Sequence, residues 1–256
     1  MNVKECSPVS LNLMENVEGD LNIVSDVGVI LPTYCEASNI KNLIEEIESL
    51  NLNVSILVID DSSPDGTANI VRQLQENYDN VLLFVRPKKS GLGSAITDGF
   101  KIFLSLKKSP RYIITMDADY SHNPKDIVRL VSTARNNNDL VIGSRYCIGG
   151  RILRWSFFRF IVSKVANGLA SLIVRAGIKD YTSGLRCYSA MLINEIIRDL
   201  HSHTYEIQIE TIKQASRRRF NLTEIPITFV NRKRGKSKLS VNEIRDFVSY
   251  ILKNIL

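Results

Sequence analysis

Short apolar runs alternate with helical patterns along most of the chain, starting at Val27. The runs, rich in Val and Ile, are VGVILP, NVSILVID, NVLLFV, RYIITMD and DLVIGS. The stretches between them, such as SNIKNLIEEIESL, GTANIVRQLQ and PKDIVRLVSTAR, have helical periodicity. Continuous apolar strands separated by helices are typical of a parallel sheet with helices on both faces. The sequence therefore predicts an α/β domain that is a nucleotide-binding architecture in outline, although a fold alone does not define a function.

The two ends of the chain differ from this pattern. Residues 1–26 are polar and aperiodic and predict an N-terminal extension, so we expect the main domain to cover residues 27–239. Residues 240–256 predict a final helix, whose apolar stripe is typical of core packing or of a seam with a partner. No stretch has the roughly 20 apolar residues of a membrane span, and the N-terminus has no signal-peptide pattern. We therefore expect any membrane contact to be made from the surface.

The formal net charge of +6 over 256 residues predicts an anionic partner. Nucleic acid, a phosphorylated ligand and an acidic membrane surface all fit, and the basic segments RRRF and RKRGKSK favour the first as a non-enzymatic alternative. The cysteines are scattered without a CxxC pair, which predicts neither a zinc site nor a disulfide framework. A reducing, cytosolic setting fits this cysteine usage best.

Polar clusters follow three of the predicted strands. They are PTYCE after VGVIL, DDSSPDGT after VSILVI and DADYSHNP after YIITM. In an open parallel sheet, ligands bind beyond the carboxyl ends of the strands. We therefore expect these clusters to form one shared site, although Asp65, Gly66 and Thr67 are also typical of a turn that begins a helix.

Asp117 and Asp119 are two residues apart, and in extended chain such residues point to the same side. Their carboxylates can share one cation, and oxygen ligands favour Mg²⁺ or Mn²⁺. The alternative is a solvated turn before a helix that begins at Pro124. We interpret His122 as a structural hydrogen-bonding residue rather than a metal ligand.

The segment from Arg151 to Arg175 mixes arginines and a lysine with several aromatic residues. A cationic amphipathic helix of this kind can lie in the headgroup layer of a membrane. A core helix whose arginines extend to the surface fits the same residues, so both interpretations stay open here.

Six motifs in this order resemble those of the dolichol-phosphate mannose synthases, within family 2 of the glycosyltransferases. The motifs are VILPTYCE, VIDDSSPDGT, MDADYSHNP, IGSRY, YTSGLRCYS and FVNRKRGKSKLS. The resemblance implies a GT-A fold, a Rossmann-like and mostly parallel sheet flanked by helices. It also implies metal-dependent, inverting transfer of mannose from GDP-mannose to dolichyl or another polyprenyl phosphate. The SHNP and SKL segments favour mannose over the related dolichol-phosphate glucose synthases, and a UDP-sugar donor is the alternative.

The resemblance also implies roles for individual residues. The nucleoside of GDP-mannose is expected to contact Pro32, Tyr34, Glu36, Ile59 and Asp61. The diphosphate and sugar are expected to contact Asp117, Ala118 and Asp119, and a loop that clamps the donor matches Arg232 and Lys238. The metal ligands implied are Asp117, Asp119 and Ser121, which replaces a glutamine found in some members. The acceptor phosphate is expected to contact Arg145, Arg159 and Ser163. Asp119 and Arg145 are thus the expected catalytic residues, and Asp180 and Arg186 are expected to build the acceptor side.

The acceptor chemistry agrees with this set of residues. A phosphate monoester has a second pKa of about 6, so its attacking oxygen is already anionic at neutral pH and requires no general base. Some family members carry C-terminal membrane spans, whereas others depend on a separate small membrane subunit. The resemblance therefore implies a peripheral protein on the cytoplasmic face of the endoplasmic reticulum or of a prokaryotic plasma membrane, and no nucleic-acid partner.

Overall fold

The computed structural model describes residues 13–231. The strands of this part of the chain are β1 (Val17–Glu18), β2 (Val27–Thr33), β3 (Val54–Asp60), β4 (Val81–Val85), β5 (Tyr112–Thr115), β6 (Leu140–Ser144), β7 (Arg151–Leu153), β8 (Arg186–Ser189), β9 (Leu222–Pro226) and β10 (Thr228–Val230). The α-helices are α1 (Ile40–Glu48), α2 (Thr67–Gln75), α3 (Leu92–Ser105), α4 (Asp126–Arg135), α5 (Phe157–Val174), α6 (Ala190–Ile196) and α7 (Ile207–Arg217). The helix predicted over residues 240–256 lies outside the described residues, as do Arg232 and Lys238.

The main sheet has the strand order β1-β4-β3-β2-β5-β8-β6-β9. Strands β2 to β5 are parallel to their neighbours within this group, and β9 is parallel to β6. Strand β8 lies between β5 and β6 and is antiparallel to both. The predicted α/β class with a mostly parallel sheet is therefore confirmed, and β8 is an exception that the alternation of apolar runs did not predict.

Helices cover both faces of this sheet, which explains why its strands are continuously apolar. In β2, Ile30 packs with Phe100 and Phe103 of α3 on one face. The adjacent Val29 and Leu31 pack on the other face, with buried residues of α1, α2 and α4. Since both sides of the strand are buried, alternation between apolar and polar residues is not needed.

The N-terminal segment contributes an edge strand. Strand β1 pairs antiparallel with β4, and Val17 is buried against the core. Glu18 accepts two hydrogen bonds from Arg72 of α2, at 2.7 and 2.8 Å. Packing therefore begins before Val27, the residue at which the sequence pattern predicted the start of the fold. The pattern did not reveal β1, because a strand of two residues has no detectable periodicity.

The run LTEIPITFV forms two strands instead of one. Strand β9 ends the main sheet, and β10 pairs in parallel with β7 in a separate two-stranded sheet. Between them, the Ile227 N–H donates to the carbonyl of Ser144 at 3.0 Å. This crossing brings Phe229 of β10 beside the segment that follows β6.

Helix α5 is mostly exposed. The Ser156 hydroxyl caps its N-terminus by accepting the Arg159 N–H, and Asn167 and Ala170 are its fully buried positions. Phe157 and Phe158 are each 78% exposed. The alternative of a core helix is thus wrong. By its length and composition, the helix is also long and apolar enough to cross a membrane. This corrects the expectation that no stretch of the chain could span a membrane.

The N-terminus of α3 packs directly against the loop before α7. The Gly93 N–H donates to the carbonyl of His203 at 2.9 Å. A Cβ atom at Gly93 would lie 2.5 Å from the Ser202 carbonyl oxygen and 2.7 Å from that of Thr204. Because both neighbours are backbone atoms, a side chain cannot be accommodated without moving the loop.

We expect Gly93→Ala to lower the free energy of unfolding by about 1–3 kcal/mol, the usual cost of overpacking. Chemical denaturation at neutral pH measures it. Gly168→Ala is the matched control, because a Cβ at Gly168 of α5 meets nothing within 4 Å. That control should be neutral or stabilising by up to about 1 kcal/mol, since alanine is the better helix former. Equal losses in the two variants would contradict the packing argument.

Candidate active site

Most of the predicted donor residues line one cleft at the carboxyl ends of β2, β3 and β5. This carboxylate cleft has a volume of about 110 Å³ and is lined by Pro32, Thr33, Tyr34, Glu36, Asp61, Lys89, Gly91, Leu92, Ala95, Asp117, Ala118, Asp119 and Tyr205. Ile59 does not line it, because its side chain is fully buried in the core. Parallel register explains the convergence, since Pro32 and Ile59 are paired across β2 and β3. The three polar clusters of the sequence are thus brought together.

Asp117 and Asp119 lie in the turn that follows β5, rather than in extended chain as the spacing argument assumed. Tyr120, which lies between Asp119 and Ser121, has a φ of 60°, a left-handed conformation that is costly for a large side chain. This turn directs the Ser121 N–H to Asp119 Oδ1 at 3.0 Å. Burial, together with the charge of Glu46, raises the pKa of Tyr120 to about 12. The backbone is therefore held in an unfavourable conformation where it presents the acidic pair.

Asp61 is buried in an ion pair that the sequence analysis missed. Arg86, directly after β4 and only 3% exposed, donates to Asp61 and reaches Asp98 at 3.5 Å. It also donates to Ser94 Oγ at 2.7 Å and to the Gly91 carbonyl at 2.9 Å. Arg86 thereby fixes the start of α3 against the cleft. A cation at the end of the fully apolar run VLLFV is the signal that could have revealed it.

Two further residues of the carboxylate cleft were not predicted, Lys89 and Tyr205. The Lys89 ammonium lies 4.6 Å from the centre of the Tyr34 ring, within the range of a cation–π contact. Tyr205 enters from the loop before α7 that packs on Gly93. Nothing in the sequence places this distant loop at the ends of the strands.

The residues around the acidic pair fit a divalent cation. Within residues 13–231, no group of three or more His, Cys, Asp or Glu side chains could hold a metal. Asp117 and Asp119 both line the carboxylate cleft, and two carboxylates would suit a cation that takes its other ligands from substrate phosphates and water. Gly184 keeps the space beside Asp117 open, because a Cβ there would lie 3.2 Å from Oδ1. The Ser121 hydroxyl is buried and makes no hydrogen bond, so it is available to a ligand at this site.

A second cleft, which we call the arginine–aromatic cleft, lies between the end of β6 and the start of α5. Its volume is about 570 Å³, and it is lined by Arg145, Tyr146, Cys147, Gly150, Ile152, Arg154, Trp155, Ser156, Phe157, Phe160 and Lys164. Lys164 lies over the Tyr146 ring at 4.2 Å. Positive charge set among aromatic faces suits a ligand that is anionic at one end and apolar elsewhere.

Arg145 is held in this cleft by a buried ion pair with Asp180. Its Nε and Nη2 atoms donate to the two carboxylate oxygens at 2.8 and 2.7 Å. Burial raises the pKa of Asp180, but the charge and hydrogen bonds of Arg145 outweigh burial and hold that pKa below its usual value. Asp180 thus occupies the Nε and Nη2 donors of Arg145, so a phosphate at this residue could not use that pair of donors.

Arg159 and Ser163 lie on α5 beside the same cleft. The Arg159 guanidinium is 4.4 Å from the centre of the Trp155 ring and donates to Asn231 Oδ1 at 2.8 Å. The Ser163 hydroxyl accepts from the Tyr146 hydroxyl at 2.8 Å. The structure therefore brings the predicted acceptor residues to one region, with Trp155 and Tyr146 as additions that link them.

A row of rings connects the two clefts. His122 packs edge-on against Phe229, with ring centres 5.1 Å apart, and Phe229 packs against Trp155 at 5.4 Å. Arg145 lies 5.4 Å from the Trp155 ring centre. At the other end, His122 Nε2 is 3.3 Å from Asp117 Oδ2. Asp117 and the buried Arg145 therefore lie at opposite ends of one aromatic row.

Comparison with known proteins agrees with this architecture. The family model for "Glycosyl transferase family 2" matches residues 28–197. The chain therefore belongs to glycosyltransferase family 2, and it is a glycosyltransferase.

Two curated relatives have names that are narrower than the family. The chain is 36% identical to the polyprenol monophosphomannose synthase of Mycolicibacterium smegmatis, over 85% of the chain and 82% of that protein. It is 33% identical to the dolichol-phosphate mannosyltransferase of Pyrococcus furiosus, over 89% of the chain and 63% of that protein. The chain thus spans less than two thirds of the Pyrococcus protein.

Solved structures share the fold at low sequence identity. Glucosyl-3-phosphoglycerate synthase from Mycobacterium tuberculosis, in complex with phosphoglyceric acid, has a TM-score of 0.66 and 17% identity over 91% of this chain and 81% of that chain. The same enzyme with Mn²⁺, uridine diphosphate and glucosyl-3-phosphoglycerate has a TM-score of 0.65 and 16% identity over 100% of this chain and 85% of that chain. The predicted GT-A fold is thereby confirmed.

We expect Asp180→Asn to lower the free energy of unfolding by about 3–5 kcal/mol at pH 7, because Arg145 would stay buried without its counter-charge. Since the pKa of Asp180 is lowered by folding, this stabilisation is present above the unfolded-chain value of about 3.9 and is lost as pH falls through the lower folded value. Urea denaturation at several pH values should show the difference between wild type and variant shrinking below about pH 4.

The control for this prediction is Asp199→Asn. Asp199 pairs with Arg218 on the surface, where its side chain is 46% exposed. We expect a loss below about 1 kcal/mol there. A comparable loss in the two variants would contradict the importance of burial at Asp180.

Proposed function

We propose that this glycosyltransferase moves a mannosyl group from GDP-mannose to the phosphate of a polyprenol such as dolichol. The observation that carries the proposal is the pairing of an acidic cleft with a cationic, aromatic cleft, joined by one row of rings. Two anionic substrates require both charge types, and the apolar surface beside the second cleft suits a lipid. The names of the two curated relatives support mannose as the transferred sugar and a polyprenyl phosphate as the acceptor.

The carboxylate cleft is assigned to the donor. Pro32, Tyr34 and Asp61 line its inner end, and Ile59 contributes through the packing of β3 beneath it. Asp117 and Asp119 would hold Mg²⁺ or Mn²⁺, with Ser121 as a further oxygen beside them. When bound, such a cation neutralises charge on the departing diphosphate. Arg232 and Lys238 stay predictions for the same task, since both lie outside the described residues.

The arginine–aromatic cleft is assigned to the acceptor phosphate. Arg159 is the residue best suited to contact it, because its guanidinium lies on Trp155 at the surface of α5. Arg145 contributes positive charge from the buried side of the cleft, and Asp180 fixes the orientation of its guanidinium. Ser163 can donate a hydrogen bond, since its hydroxyl accepts one from Tyr146. The phosphate oxygen attacks the anomeric carbon in line with the diphosphate, so the configuration is inverted and an α-linked donor yields a β-linked product.

The apolar side of α5 is assigned to a membrane surface. Phe157 and Phe158 are exposed at the start of the helix, and Leu172 is exposed near its end. Arg151 and Arg154, both exposed, precede the helix and suit anionic headgroups. The protein would then be peripheral, on the cytoplasmic face where nucleotide sugars are available. A small membrane subunit is a further partner that the same apolar surface would suit.

The central test incubates the purified protein with a polyprenyl phosphate and radiolabelled GDP-mannose or UDP-glucose, each with and without EDTA. We expect a lipid-soluble product from GDP-mannose alone, lost with EDTA and restored by Mg²⁺ or Mn²⁺. Product from UDP-glucose alone would transfer the proposal to the glucose synthase alternative. Retention on nucleic acid that falls steeply with salt, with no transfer from either donor, would favour the nucleic-acid alternative.

Asp119→Asn should lower the transfer rate by about 100-fold or more, because cation stabilisation of the leaving group is worth several kcal/mol. Initial rates at saturating substrates measure the effect. Asp79→Asn is the control, since Asp79 is exposed and lies before β4, at the amino end of the strand. Unchanged turnover in the Asp119 variant would refute its role at the metal.

Replacing Phe157 and Phe158 together by Ser should weaken binding to vesicles that contain anionic lipid by about tenfold or more, since each buried ring contributes roughly 1.5–3 kcal/mol. Vesicle flotation measures the bound fraction. Met191→Ser is the control, because Met191 is also an exposed apolar residue, at 61%, but on α6. Equal binding by the wild type and the double variant would exclude α5 as the membrane contact.

A further inference from the structure

We infer that His122 is a positioning residue, whose ring holds the carboxylate of Asp117 in the orientation that binds the cation. The inference rests on the proposed metal-dependent function and adds to it a residue outside the predicted ligand set. His122 lies directly after Ser121, at the point where the turn that carries the acidic pair enters the core. It is therefore placed to contact that turn from its buried side.

The first observation is an unsatisfied polar group. The His122 side chain is 1% exposed, and neither of its ring nitrogens makes a formed hydrogen bond. Leaving a buried polar group without a partner costs roughly 1–3 kcal/mol. The Nε2 atom nevertheless lies 3.3 Å from Asp117 Oδ2, a distance at which a hydrogen bond could form. The angle between the two groups is what prevents that hydrogen bond. A small rotation of the Asp117 carboxylate would satisfy Nε2.

The second observation is that the ring itself is fixed. Phe229 of β10 meets His122 edge-on at 5.1 Å, and Trp155 supports Phe229 from behind at 5.4 Å. The backbone also holds the turn, because the Val230 N–H donates to the Ser121 carbonyl at 3.0 Å. A ring clamped in this way cannot follow the carboxylate, so the carboxylate must align with the ring.

The third observation is the room left at Asp117. Its side chain is 37% exposed, and Gly184 is the residue opposite its oxygens. Asp119 is already oriented by the Ser121 N–H. With His122 donating from Nε2, each carboxylate would be oriented by a donor of the same turn and would direct an oxygen to the cation. This assignment places an N–H on Nε2, the ring nitrogen that faces Asp117 Oδ2.

The test separates hydrogen bonding from packing by using two variants. His122→Gln keeps an N–H donor at a similar reach but loses the ring, whereas His122→Phe keeps a ring against Phe229 but has no donor. The dissociation constant of Mn²⁺ is measured in the presence of GDP, from the electron paramagnetic resonance signal of free Mn²⁺. We expect a 10- to 100-fold increase for His122→Phe, the usual effect of losing a residue that orients a metal ligand. The dissociation constant of Mn²⁺ for His122→Gln should stay within about threefold of the wild-type value, which is smaller than the 10- to 100-fold increase expected for His122→Phe.

The outcomes are distinct. Unchanged Mn²⁺ affinity in His122→Phe, or an equal loss in Phe and Gln variants, would assign His122 to packing and overturn the inference. Wild-type protein that does not bind Mn²⁺ with GDP would instead refute the proposed metal site, and the inference with it. Thermal unfolding checks that each variant is folded. If His122→Phe does not fold, His122→Asn replaces it, because its shorter amide stops short of Asp117 and should lose affinity where Gln does not.

Discussion

The ion pair between Arg145 and Asp180 joins the parts of the molecule on which the arginine–aromatic cleft depends. Asp180 also accepts the Arg145 backbone N–H, at 2.9 Å, and its own N–H donates to Glu224 of β9 at 2.8 Å. Three segments that are distant in sequence therefore meet at Asp180, through its own carboxylate and through that of Glu224. The guanidinium that results lies beside Trp155 and Phe229, and the row of rings is built on it. Because a buried pair is costly to desolvate, its value here is in fixing geometry more than in net stability.

The positive charge of the chain and its acidic pair belong to one arrangement. Arg86 and Lys89 lie at the carboxylate cleft, so the carboxylates of Asp61 and its neighbours do not build up an uncompensated negative field. Arg145 of the second cleft is separated from Asp117 by the row of rings. Each cleft can thus carry the sign of charge that suits its proposed ligand. The net charge of +6 predicts an anionic partner but says nothing about this division.

The parts of the fold that were predictable are those set by local pattern. Buried strands and amphipathic helices have clear periodicity, and acids at the ends of parallel strands converge for geometric reasons. The antiparallel insertion of β8 was not predictable, because a strand's direction depends on its neighbours rather than on its own sequence. The ion pair of Arg145 was not predictable for a related reason, since the partner that occupies its Nε and Nη2 donors is 35 positions away. Ile59 was assigned to the site from its neighbours in the motif, although it points into the core.

The row of rings from His122 to Trp155 also bears on how two anions can react. Substrate phosphates that approach each other in water are screened but poorly oriented, whereas in a dry gap their repulsion and every opposing charge are stronger. Phe229 packs between His122 and Trp155, so the row of rings lies between Arg145 and Asp117 without adding charge of its own. The attacking oxygen needs no base, and the remaining task is alignment. With the donor and the acceptor assigned to the two clefts as proposed, a fixed row of rings between them would serve that alignment.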